Sequence, residues 1–178
     1  MLSQKPPALH SGTWLPQPRL LSPFALSDQS GQRYDNASLA GHPSLLYFGF
    51  TTCPDVCPAT LAVLAQLQRN PPLRQMQVLF VSVDPERDRP QMLARYLASF
   101  DPHFTGLTGN AAALAPLLHS LGAIAERVSL PDGSYTMDHS ATLYLLDRQG
   151  RMAAVFSPPF TTTSLRADLE QVARSGAL

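Results

Sequence analysis

The feature that most restricts the fold is the alternation of short apolar runs with segments of helical period between residues 43 and 122. Residues 43–50 (PSLLYFGF) are nearly all apolar or aromatic, the pattern of a strand buried on both faces. From Pro58, PATLAVLAQLQR places Leu61, Leu64, Ala65 and Leu67 or Gln68 at helical spacing. Pro58 is expected at the first helical position, where a missing N–H is harmless. The unit then repeats. QVLFVSVD reads as a second strand, PQMLARYLASF as a helix opened by Pro90, FTGLTG as a third strand and AAALAPLLHSLG as a helix ended by Gly122. Strands alternating with helices predict an α/β domain with a mostly parallel sheet covered on both faces.

Upstream, PFALSD and QRYDNASL flank a DQSG turn and predict a β-hairpin at the start of the domain. Downstream, AIAERVSL, a PDGS turn, and the pair ATLYLLD and RMAAVF read as strands, the last two joined as a hairpin; TTTSLRADLEQVARS reads as a capped helix. Residues 1–22 hold Pro6, Pro7, Pro16 and Pro18 and read as a Pro-rich lead without a fold of its own, leaving 23–178 as one domain. A 178-residue chain that is 44% hydrophobic and 15% charged suits one buried core and excludes disorder. Thirteen basic residues balance thirteen acidic ones without a basic run, so no footprint for nucleic acid or an anionic membrane surface is expected. No apolar run nears the ~18 residues of a transmembrane helix.

The chain has two cysteines, Cys53 and Cys57, in FTTCPDVCP. A close pair in an otherwise cysteine-free chain points to redox or metal chemistry rather than to a disulfide scaffold. Each is followed by proline, which stiffens the loop. Near-helical geometry would put their Cα atoms roughly 6 Å apart, within reach of a disulfide and of one shared metal ion. A helix N-terminus beside them is expected to lower thiol pKa and favour thiolates. Asp55 pulls the other way, disfavouring thiolates but welcoming a cation; a plain turn-forming role suits it equally.

Two thiolates rarely complete a metal site, so a further ligand is sought among five histidines. His10 lies in the lead, His42 and His103 in turns and His119 in a helix, where surface or packing roles are expected. His139 stands apart, on a loop after the PDGS turn and directly before a strand, where a side chain can reach the end of a neighbouring parallel strand. Met137 is a weaker candidate.

Taken in order, FGFTTCPDVCPATL, VSVDPERDRP, FTGLTG and MDHSATLYLLDRQG resemble the Sco/SenC family of copper-binding, thioredoxin-like proteins, from about residue 23 to about residue 172. The resemblance implies a thioredoxin-like α/β fold with a central mixed sheet flanked by helices. It implies a copper cofactor, Cu(I) or Cu(II), held by Cys53, Cys57 and His139, with the cysteines also able to act as a redox pair. It implies delivery of copper to the dinuclear centre of the copper-bearing subunit of cytochrome c oxidase, with another copper chaperone or a thiol reductase as a further partner. The family's setting is the periplasmic side of the bacterial inner membrane, with contact through an N-terminal anchor absent from this sequence. Arg89 stands where the family's DTP carries a helix-capping Thr, which predicts a weaker cap. For VDPERDRP a solvated loop of paired charges is expected.

The competing reading is a thiol-disulfide oxidoreductase that reduces the oxidase cysteines or other periplasmic thiols, because this fold hosts both activities. A peroxiredoxin would need Thr three residues before its reactive Cys, where Phe50 and Pro54 stand. Thioredoxin-type reductases use CxxC and a cis-proline facing the thiols, whereas this chain has CxxxC and Asp138-His139-Ser140 there. Histidine in place of proline favours metal.

Overall fold

The computed structural model describes residues 7–176. Ten strands and four α-helices follow one another as β1 (Gly12–Arg19), β2 (Ala25–Asp28), β3 (Arg33–Asp35), β4 (Ser44–Gly49), α1 (Val56–Gln68), β5 (Gln77–Ser82), α2 (Pro90–Ala98), β6 (Thr105–Thr108), α3 (Ala111–Leu121), β7 (Ala125–Ser129), β8 (Tyr135–His139), β9 (Leu143–Leu146), β10 (Met152–Phe156) and α4 (Thr162–Ser175). Eight strands form one sheet in the order β1, β10, β9, β4, β5, β6, β2, β3, while β7 and β8 pair only with each other. This is the expected α/β architecture with a central mixed sheet and a β2–β3 hairpin extension.

The sheet is less parallel than the strand–helix alternation suggests. Only β4–β5 and β5–β6 are parallel, because helical crossovers link just those strands; β9 and β10 return as a hairpin and β2 joins β6 from outside, all antiparallel. β4 lies at the centre with every residue buried, among Leu45, Leu46, Tyr47, Phe48, Leu79, Phe80 and Leu145. The continuous apolar run that marked it in sequence is a consequence of that burial on both faces. Pro90 opens α2 and Gly122 ends α3 in the left-handed conformation at φ 64°, as the sequence predicts, and Asn110 caps α3 by accepting from the Ala113 N–H. Arg89 caps α2 without a side-chain bond, as its substitution for Thr predicts, and α4 carries a Thr161–Ser164 capping box.

The Pro-rich lead requires a correction. Instead of an unstructured linker, residues 12–19 form β1, which pairs antiparallel with β10 at the edge of the main sheet and packs Trp14 and Leu15 against the core. Proline is tolerated there because an edge strand needs only half its hydrogen bonds, and the register breaks between Trp14 and Arg19, where Pro16 and Pro18 fall. Just before it, the carboxylate of Asp168, fully buried in α4, accepts from the backbone N–H groups of His10 and Ser11 at 2.7 Å each and from the Ser11 hydroxyl at 2.6 Å. No described helix is long and apolar enough to cross a membrane.

Candidate metal centre

The thiol loop leaves the C-terminal end of β4 and enters α1, whose first residue is Val56 rather than Pro58. Cys57 therefore lies inside the first turn and Pro58 still falls among the positions whose N–H has no helical partner. Asp55 is the N-cap residue but its side chain makes no cap bond and stays exposed. The Cys53 sulfur takes that place, accepting from the Cys57 N–H at 3.4 Å. Gly49 makes the packing of Cys57 possible. A Cβ there would lie 2.6 Å from the Phe80 ring and 3.0 Å from Cys57 Sγ.

Both cysteines are free and buried, Cys57 completely and Cys53 at 9% exposure. Burial pushes the Cys57 thiol far above its ordinary value, reinforced by its hydrogen bond with Cys53. This reverses the expectation of thiolates lowered by the helix N-terminus: the terminus contributes about 1 kcal/mol, and desolvation of a fully buried sulfur outweighs it. Cys57 is a neutral thiol at neutral pH.

His139 is the last residue of β8, so it sits on the β7–β8 ribbon and not on the loop that the sequence suggests. Its Nε2 lies 3.5 Å from Cys57 Sγ. Its Nδ1 lies 3.0 Å from the Ser140 carbonyl oxygen. A carbonyl only accepts, so Nδ1 carries the proton and the Nε2 lone pair faces the sulfurs. The ring is further fixed by the Phe50 and Tyr47 rings, each nearly perpendicular to it with centroids 5.6 and 6.1 Å away. Cys53, Cys57 and His139 place their donor atoms within 4.8 Å of one another, and no other cluster of three or more His, Cys, Asp or Glu with this geometry occurs among the described residues.

The chemistry opens to solvent through a shallow cavity of about 300 Å³ lined by Phe50, Cys53, Pro54, Met137 and His139, with Cys57 behind it. The other histidines stay apart: His42, His103 and His119 are exposed, and His10 joins the Asp168 clamp through its backbone. Met137 is half-buried and packs against the core. A larger concavity of about 750 Å³, bordered by Arg69, Arg74 and Arg148, contains neither cysteine nor His139.

VDPERDRP is solvated at Glu86 and Arg89 but not at its aspartates. Asp84 and Asp88 are buried, at 2% and 0% exposure. Asp88 accepts from the Thr51 N–H at 3.0 Å, the Thr51 hydroxyl at 2.5 Å and the Ser82 hydroxyl at 2.7 Å, thereby bracing the thiol loop. Sequence reasoning missed this because charged residues usually stay in water; the signal was a carboxylate directly following an apolar strand, beside a loop with two threonines.

The SCO1/SenC family model matches residues 14–174. The chain belongs to that family. Among SCO1/SenC relatives, a SCO2-like protein of Rickettsia prowazekii is 38% identical over 133 residues, which is 72% of this chain and 65% of that protein. The mitochondrial SCO2 homolog of Danio rerio is 41% identical over 132 residues, 71% of this chain and 47% of that protein, so the match spans less than two thirds of the length of either relative. The copper-bound structure of Bradyrhizobium japonicum ScoI superposes with a TM-score of 0.76 at 42% identity, covering 85% of this chain and 98% of that one. Copper-bound yeast Sco1 gives 0.79 at 30% identity, covering 89% and 90%. The SCO1/SenC assignment thus takes in nearly all the described elements, β1 included.

Proposed function

We propose that this chain is a copper metallochaperone in which Cys53, Cys57 and His139 hold one copper ion and pass it on by ligand exchange. The observation that carries this reading is the Nε2 lone pair of His139 held 3.5 Å from Cys57 Sγ by an Nδ1 bond on the far side of the ring. A dithiol reductase has no use for an imidazole oriented in this way, whereas a metal-ligating histidine is commonly fixed by such an outer bond. The donor set suits copper: sulfur favours Cu(I), imidazole suits Cu(II), and among the described residues no fourth His, Cys, Asp or Glu joins the cluster as zinc would prefer. Uptake converts both thiols to thiolates and releases their protons; release of copper takes protons back.

The raised Cys57 thiol weighs against the oxidoreductase reading, since a neutral buried sulfur attacks disulfides poorly. What favours that reading in part is the near-contact of the two cysteines through the Cys57 N–H, which leaves a Cys53–Cys57 disulfide accessible. The recipient proposed is the copper-bearing subunit of cytochrome c oxidase, supported by the family membership and by a structural neighbour described as a Sco-family cytochrome c oxidase assembly protein, which shares the fold. The setting proposed is extracytoplasmic and membrane-tethered, supported by the same family resemblance.

Copper titration of the reduced protein, with visible spectroscopy, tests the reading. One copper per chain is expected, and His139→Ala should weaken Cu(II) binding and shift the sulfur-to-copper absorption while leaving the dithiol and its disulfide intact. An unchanged Cu(II) spectrum in His139→Ala with collapsed disulfide exchange would transfer the site to redox chemistry.

A further inference from the structure

The sulfur and nitrogen halves of the centre belong to different sheets. Cys53 and Cys57 hang from β4 and α1, whereas His139 ends a ribbon that shares no strand pairing with the main sheet. One short turn, residues 84–88 between β5 and α2, touches both halves. On the thiol side, Asp88 binds the Thr51 backbone and hydroxyl. On the ribbon side, three residues of the same turn converge on Tyr135 and Arg127. Asp84 accepts from the Tyr135 hydroxyl at 2.8 Å, and Arg87 donates to the Tyr135 carbonyl at 3.1 Å. The Arg87 guanidinium lies 3.9 Å from the Tyr135 ring centroid and that of Arg127 3.6 Å from it. Glu86 receives Arg127 through both carboxylate oxygens at 3.1 Å. Asp84 also pairs with Arg87 itself.

We propose that the 84–88 turn is a two-sided bracket that sets the separation between the cysteine sulfurs and His139, with Tyr135 and its flanking guanidiniums as the arm that holds the ribbon. Tyr135, Arg87 and Arg127 are positioning residues: they act on copper only through His139, four residues along β8 from Tyr135. The inference rests on the copper reading above. With no strand pairing to the main sheet, the ribbon is held by the packing of Ala125 and Met137 against the core together with the cation–π and charge-assisted contacts of the bracket, so removing the Tyr135 side chain should loosen it. The arrangement also explains why two carboxylates of this turn, Asp84 and Asp88, are buried: each braces one of two segments that no backbone ladder joins.

The test is Tyr135→Ala, with Tyr135→Phe as the conservative partner and Arg127→Ala as a milder disruption. Tyr135→Ala should speed Cu(II) dissociation by about tenfold or more, within the ~10–100-fold range typical of losing an outer partner of a metal ligand, and should shift the sulfur-to-copper band. Tyr135→Phe keeps the ring between the guanidiniums and should restore most of the wild-type rate and spectrum. Arg127→Ala should fall between them, because its pair with Glu86 is largely exposed. Hydrogen exchange on the copper-free protein supplies the independent readout: β7–β8 amides should exchange faster in Tyr135→Ala while β4 and β5 keep their protection. Wild-type exchange in the ribbon of a folded Tyr135→Ala would overturn the bracket. Faster exchange in a protein whose wild type takes up no copper would overturn the copper reading and leave the bracket standing. Unchanged copper dissociation despite a loosened ribbon would overturn the link from the bracket to His139.

Discussion

The two halves of the centre are built by different rules. The thiol half is continuous with the core: Cys57 is wholly buried against β4, its room is set by Gly49, and its loop is tied to a buried carboxylate. The ribbon half lies outside the main sheet, with most of β7 exposed and Val128 and Leu130 at 40% and 39% exposure. The contrast separates what must be rigid from what must move. On the proposed copper reading, two sulfurs that share one ion need a fixed mutual spacing, whereas a third ligand that is exchanged at release is better placed on an element that opens without unfolding the core.

Substitutions on the thiol side should therefore be severe and those at the rim mild. Cys57→Ser should abolish Cu(I) retention through gel filtration in the presence of a competing chelator, since one sulfur and one imidazole make a poor Cu(I) site; retention at the wild-type level would remove the thiol half from the centre. Asp88→Ala should lower unfolding free energy by about 3 kcal/mol, because it strands the Thr51 N–H and the Ser82 hydroxyl in the interior. Urea denaturation checks this, and a loss below about 1 kcal/mol would place the thiol loop among the mobile parts.

The pH dependence sharpens the same contrast. Burial holds the Cys57 thiol well above its ordinary value, so it is protonated across the neutral range and copper must expel that proton. Apparent Cu(I) affinity should then climb by about tenfold per pH unit for this proton alone, between about pH 6 and pH 8, in chelator competition. A thiol lowered by the helix terminus would give a flat profile there. The smallest effect is expected at the exposed N-cap. Asp55→Asn loses no cap bond and should change stability by no more than about 0.5 kcal/mol by thermal or urea unfolding.

Much of this was legible in the residues. The apolar run of β4 and the Pro90 and Gly122 boundaries follow from local patterns, because each reflects burial or backbone chemistry confined to a few neighbours, whereas the grouping of Cys53 and Cys57 with His139 comes from the family resemblance, with position marking His139 only as a candidate. What escaped the sequence depends on contacts between distant segments. β1 hid because proline content signals a linker unless an edge strand is there to receive it. β8 hid because an exposed two-stranded ribbon needs little alternation of apolar residues. The buried state of Asp84 and Asp88 follows from where Thr51 and Tyr135 arrive in space, and the elevated Cys57 thiol from how completely β4 and α1 close over it.

The Asp168 clamp has a mechanical consequence. Gly12 faces Phe156, Phe156 faces Leu143 and Leu143 faces Tyr47, so the chain enters the domain level with Tyr47, two residues short of Gly49, and three strands away. At the usual strand spacing that is about 14 Å from the central strand. His10 and Ser11 are pinned to α4 by their own backbone N–H groups, so β1 is fixed to the domain from its start. A load applied through the N-terminal segment is therefore passed to α4 and to the edge strand at the level of Tyr47, near the end of β4 from which the thiol loop leaves.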